Sequence, residues 1–282
     1  MGAPKRYKIL GCQLKPSPES WAATYKNDFF GLGGYPHGWN RQGVREDDIL
    51  CCCGMLALRH LGYKVPVEPA DWLNRGFDVV VDYFCGEWWH GDEDATATMD
   101  KTPGNERLRW FNAFTGGMLL GLLSERWDDL AAVCAWLEPG LRPEPLRMEE
   151  DPAVCEHELA LVYLSIAAFL RPGLMHGMRA LEKELLMSKE LRPRLLFQAW
   201  KAARAGDQAS FAEGFVKSLA HFAATPGRKL APLYWVATHC SVVGLAAMRV
   251  GLDLPQLPPN LEALVMTRAS LGLDLQTASP PG

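Results

Sequence analysis

The 282-residue chain is 48% apolar and 22% charged, enough to bury a sizeable core in one large domain or two small ones. Its net charge of −4 argues against a polybasic nucleic-acid binder, and the polar, proline-broken stretch behind "MGAPKRYK" is unlike a secretory signal peptide. The eight cysteines include no CxxC pair and read as free, mostly buried thiols of a reducing compartment, which makes the cytoplasm the expected location.

The mild total hides an uneven distribution. Residues 70–158 carry 19 Asp/Glu against 7 Lys/Arg, whereas residues 171–229 carry 11 Lys/Arg against 5 Asp/Glu. Between Gly76 and Asp100 there are seven acidic residues and no Lys or Arg. Such asymmetry bears on what approaches the surface more than on the fold.

Residues 1–100 are the less regular part, expected to be mostly helical and packed on the body. "FFGLGGYPHGWN" is glycine-rich but lacks the Gly-Lys-Ser/Thr ending of a phosphate loop. "REDDILCCCGMLALRHLGY" predicts a helix with Glu46, Asp47 or Asp48 in its first turn, where the dipole favours negative charge. "EPADWLNRGFDVVVDYFCGEWWHG" predicts another helix, although its "VVV" also admits a strand.

A helical-hairpin domain is expected over residues 101–270, with 271–282 as a flexible tail. Phe111, Phe114, Met118 and Leu122 recur at three- and four-residue steps and so share one helix face. A second helix starts near Asp128 or Asp129 and stops by "EPGLRPEP". Asp151-Pro152 signals a further start, followed by the face Cys155, Leu159, Val162, Ile166 and Phe169.

In the next hairpin, Gly206 ends one helix and Asp207 caps another that presents Phe211, Phe215, Leu219 and Phe222. Residues 230–248 have no charge, but Pro232, Thr238, His239, Cys240 and Ser241 interrupt their apolarity. They read as a buried central helix, not a membrane span, ended by Gly251. The expected fold is all-α, about ten helices in antiparallel hairpins stacked as a solenoid or bundle. Two hairpins look alike: "LLGLLSERWDDLAAVCAWL" and "AWKAARAGDQASFAEGFVKSL".

Over roughly residues 100–267 the order and texture of these segments resembles the Immunity protein 49 family. The likeness is carried by Arg107, Trp110, Gly121 and Asp128, then by Asp207 and Phe211, then by the closing "GLDLP" at 251–255. The resemblance implies an all-helical bacterial protein that neutralises a polymorphic toxin, and it brings no catalytic residues or cofactor with it.

Few residues stand in patterns that would carry chemistry. His90, Asp92 and Asp94 alternate in "HGDED", but no second His or Cys cluster completes a metal shell, so an acidic turn is the better account and no metal is assigned. His37, His60, His157, His176, His221 and His239 occur singly, as surface or satisfied core groups. Cys85 is the thiol expected nearest the surface, yet its acidic surroundings disfavour a thiolate. Arg192, Arg194, Lys201 and Arg204 could make part of a helix basic, but solvated faces explain them better than nucleic acid.

What is left is Trp88 and Trp89 inside an acidic field, which either fold back into the core or serve as interface anchors. The resulting expectation is a non-catalytic immunity protein that binds a cognate toxin directly. That toxin would be a basic effector such as a nuclease, contacted through Glu87, Trp88, Trp89, Asp92, Glu93 and Asp94, with no nucleic acid, membrane or cofactor involved. A helical-repeat scaffold unrelated to toxins, or an α-helical enzyme, are the alternatives.

Overall fold

The computed structural model describes residues 41–65, 68–85, 105–135, 156–171, 178–225 and 235–273, and every regular element among them is a helix. In chain order these are α1 (Arg41–His60), α2 (Pro69–Cys85), α3 (Asn105–Ser124), α4 (Trp127–Ala135), α5 (Glu156–Leu170) and α6 (Met178–Met187). They continue with α7 (Leu191–Arg204), α8 (Gln208–Ala224), α9 (Thr238–Arg249) and the single turns α10 (Pro259–Glu262) and α11 (Arg268–Leu271). The all-α expectation is met, and the "VVV" of residues 79–81 lies inside α2.

Consecutive helices pair as α1–α2, α3–α4 and α7–α8, but the pairs do not merely stack on their sequence neighbours. Helix α3 packs against α1, α2, α4, α5 and α9, and α11 returns to α1. A solenoid repeat touches only the repeats beside it. These long-range contacts make a bundle around α3 instead.

Residue size explains how α3 accepts so many neighbours. A Cβ at Gly121 would lie 2.5 Å from Leu130 Cδ1 and 2.9 Å from Phe77 Cε2, so only glycine lets α2 and α4 close on it. Buried Phe114, Met118 and Leu122 face the core as their spacing predicts. From α2 to α9 runs a chain of edge-to-face rings: Tyr83–Phe84 at 4.7 Å, Phe84–Phe114 at 5.7 Å, Phe114–Tyr163 at 6.4 Å and Tyr163–His239 at 5.6 Å.

The α7–α8 turn forms as its sequence dictates. Gly206 takes φ +71°, and Asp207 accepts a hydrogen bond from the Ser210 backbone N–H at 3.0 Å. Hydrogen bonding from the Ser210 side chain first, and then from its backbone N–H, holds the Asp207 carboxyl below its ordinary value. Phe211, Phe215 and Leu219 are buried, and Phe222 is half-buried.

Helix α4 starts at Trp127 and carries Asp128 and Asp129 in its first turn, as expected. Three expectations need correction. Helix α1 begins at Arg41, so Asp48 sits two turns inside it and is 93% buried, not in the first turn. Phe169 continues the face of Leu159, Val162 and Ile166 but is 43% exposed, its ring set edge-on against Trp200 at 5.6 Å near the end of α5. In the apolar segment α9 starts at Thr238, because Trp235, Val236 and Ala237 are buried outside the helix and Ala237 N–H donates to Leu264 O; residues 230–234 lie outside the described residues. The Asp151-Pro152 start lies outside the described residues. Among the described residues no helix is long and apolar enough to cross a membrane.

Candidate interaction surface

Helix α2 buries Trp72, Leu73, Phe77, Val80, Tyr83 and Phe84, and this packing leaves Asp71, Arg75, Asp78 and Asp82 along its exposed side. These four recur at steps of three and four, so they form one stripe. Helix α4 packs beside α2 and adds Asp128 and Asp129 in its first turn, where the helix dipole stabilises negative charge. Glu125, in the turn before α4, is also exposed.

Arg126 ties the two helices together. Its Nη1 donates to Asp78 Oδ1 at 2.5 Å and its Nε to Asp129 Oδ2 at 2.7 Å, while the guanidinium lies 5.1 Å from the Phe77 ring centroid. The paired carboxylates keep 65% and 42% of their side-chain surface open to water. Six carboxylates therefore stand against Arg75, Arg126 and Arg268, the last of which approaches Glu125 at 3.6 Å, and the α2–α4 surface keeps its negative sign.

Cys85 closes α2 and is exposed, as its sequence position suggests. Burial of part of the thiol, and then the nearby Asp129 carboxylate, push its pKa up, so it is a poor nucleophile at neutral pH. Cys52, Cys53, Cys134 and Cys240 are buried free thiols, and desolvation raises Cys134 to about 12. Glu87, Trp88, Trp89, Asp92, Glu93 and Asp94, which follow α2 in the chain, lie outside the described residues, as does His90. Among the described residues no three His, Cys, Asp or Glu side chains converge to hold a metal ion.

The basic helix is largely occupied with its own protein. Arg204 Nη2 donates to Glu182 Oε1 at 2.6 Å, and Arg194 Nη1 donates to the Ser188 carbonyl at 3.1 Å. Arg192 is only partly exposed and bears electrostatically on Tyr163 and His239. Of the four cations in the stripe, Lys201 alone is exposed.

Two histidines have defined structural roles. His60 is buried, with Nδ1 2.8 Å from Ser270 Oγ and Nε2 3.0 Å from Ala263 O, which fastens α1 to the C-terminal turns. His239 Nδ1 lies 2.7 Å from Tyr163 Oη. Desolvation, and then Arg192, push this imidazole down to about 3, so it is neutral at physiological pH. No sequence signal marks this pair, because its members are 76 positions apart.

The chain was compared with protein-family models, with curated proteins and with solved structures, and none of them matches.

Proposed function

We propose that the chain is a non-catalytic binding protein of the immunity class, which neutralises a cognate bacterial toxin by direct association. The observation that carries this reading is the stripe of carboxylates on α2 and α4, which leads in sequence into Glu87, Trp88, Trp89, Asp92, Glu93 and Asp94. The likeness of residues 100–267 to the Immunity protein 49 family adds support through segment order and texture. Several residues that carry that likeness serve the scaffold: Gly121 admits Phe77 and Leu130, Asp207 caps α8, and Phe211 is core.

Physically, a rigid negative face raises the local concentration of a basic effector such as a nuclease and speeds its encounter. Tight binding then needs desolvated anchors at the centre of the contact, and Trp88 and Trp89 are the side chains assigned that role. The proposal involves no bond-making step.

The test is co-expression with the toxin-bearing neighbouring reading frame, reading growth rescue and recovery of a complex. Rescue with a one-to-one complex is the expected result. A stable complex with a housekeeping protein and no rescue would move the chain to the scaffold reading. Neutralising Asp71, Asp82 and Asp128 to Asn, together with Asp92, Glu93 and Asp94, should slow association about tenfold or more at low salt and flatten its salt dependence. An on-rate indifferent to both changes removes the acidic stripe from the mechanism.

A further inference from the structure

The α3–α4 turn also borders a cleft of about 550 Å³, within the range of small-molecule sites. Its floor is apolar, formed by Leu122 of α3, Leu245 of α9 and Leu254 from the segment after α9. Its rim carries Glu125, Arg249 and Arg268.

The two arginines are held differently. Arg268 Nη1 donates to the Leu123 carbonyl at 2.5 Å, and its Nε lies 3.6 Å from Glu125 Oε2. Its charge is therefore offset, and its fork is committed to the end of α3. Arg249, the last residue of α9, lies over the Trp127 indole with its guanidinium carbon 4.3 Å from the ring centroid. Stacking fixes the plane of a guanidinium without using its N–H donors. Among the described residues Arg249 makes no hydrogen bond or ion pair, so an oriented cation faces an apolar floor.

Glu125 supplies an independent observation at the same rim. Its φ of +58° lies in the left-handed region, where every other described residue is glycine. Strain of this kind collects at ligand sites. The position carries a carboxylate that orients Arg268, where glycine would cost less.

We propose that this cleft binds a small organic monocarboxylate, its apolar body against Leu122, Leu245 and Leu254 and its carboxylate accepting hydrogen bonds from Arg249. A monoanion fits because only one of the two guanidinium charges is left without a counter-charge. The cleft shares Glu125 with the acidic surface but draws on none of the carboxylates of α2, and its ligand is distinct from the toxin of the proposed function.

Titration of the full chain with sodium octanoate, followed by calorimetry and ligand-observed NMR, tests the proposal. Saturable binding in the micromolar-to-millimolar range is expected. Octanol, with the same chain and no carboxylate, should bind at least tenfold more weakly, as should octanoate to Arg249→Gln. Leu254→Trp, which fills the floor and leaves Arg249 in place, should abolish binding. Octanoate that fails to saturate, or that binds wild type, R249Q and L254W alike, overturns the site.

Discussion

Tyr163 and His239 join α5 to α9, their polar atoms 2.7 Å apart and their rings edge-to-face at 5.6 Å. The imidazole titrates near 3 in the folded protein against about 6.5 in the unfolded chain, with desolvation as the main cause and Arg192 as the second. Its contribution is therefore complete above pH 6.5 and is lost as pH falls toward 3, because the unfolded chain takes up a proton that the folded chain refuses. The slope approaches about 1.4 kcal/mol per pH unit below pH 6, where the unfolded imidazole is mostly protonated and the folded one is not. Urea unfolding at pH 7, 6 and 5 should show a steeper decline for wild type than for His239→Gln. Parallel curves would falsify this assignment.

The strained Glu125 leads to a stabilising change. At φ +58° a side chain costs about 1 kcal/mol that glycine does not incur. Glu125→Gly is expected to raise stability by about 0.5–1 kcal/mol, less whatever the 3.6 Å approach to Arg268 contributes. In the matching turn, Gly206→Ala at φ +71° should lose about 1 kcal/mol. Thermal melts of the two variants should move in opposite directions, and a shared direction contradicts the account.

The closeness of α2, α3 and α4 at Gly121 predicts overpacking. Gly121→Ala places a methyl group within 3 Å of Leu130 and Phe77, costing about 1–3 kcal/mol. Pairing it with Leu130→Ala, which removes the nearer contact, should recover part of the loss beyond additivity. A double variant as destabilised as the sum of the singles would show that Leu130 is not the obstacle.

Arg204 and Glu182 form a half-buried pair in which each side chain is 22% exposed, and Arg204 also reaches Ser165 Oγ at 3.4 Å. Arg204→Ala leaves a partly desolvated carboxylate and should cost about 1–2 kcal/mol. By contrast, Lys217→Ala breaks a solvent-exposed i,i+4 pair and should leave stability almost unchanged. Chemical denaturation of both variants checks the ranking, which equal losses would reverse.

Local chemistry was legible where one short segment decides the outcome. Gly206 and Asp207 announce the α7–α8 turn because the αL residue and the cap need no distant partner. The stripe of Phe211, Phe215 and Leu219 follows from helical spacing alone. The start of α9 was not legible, because Trp235 to Ala237 bury as well outside a helix as inside one. Phe169 keeps the core period but lies where α5 reaches the edge of the bundle, which periodicity does not report. The cleft escaped for the same reason as the Tyr163–His239 pair: Trp127, Arg249 and Arg268 come from three helices, and no spacing in the chain brings them together.

Because α3 is lined by five other helices and α11 closes back on α1, neither end of the described bundle has a private core to fall back on. Heating should accordingly give one endotherm whose calorimetric and van't Hoff enthalpies agree. Shortened forms that remove α1 and α2 would expose the glycine face of α3 and should be recovered as aggregates.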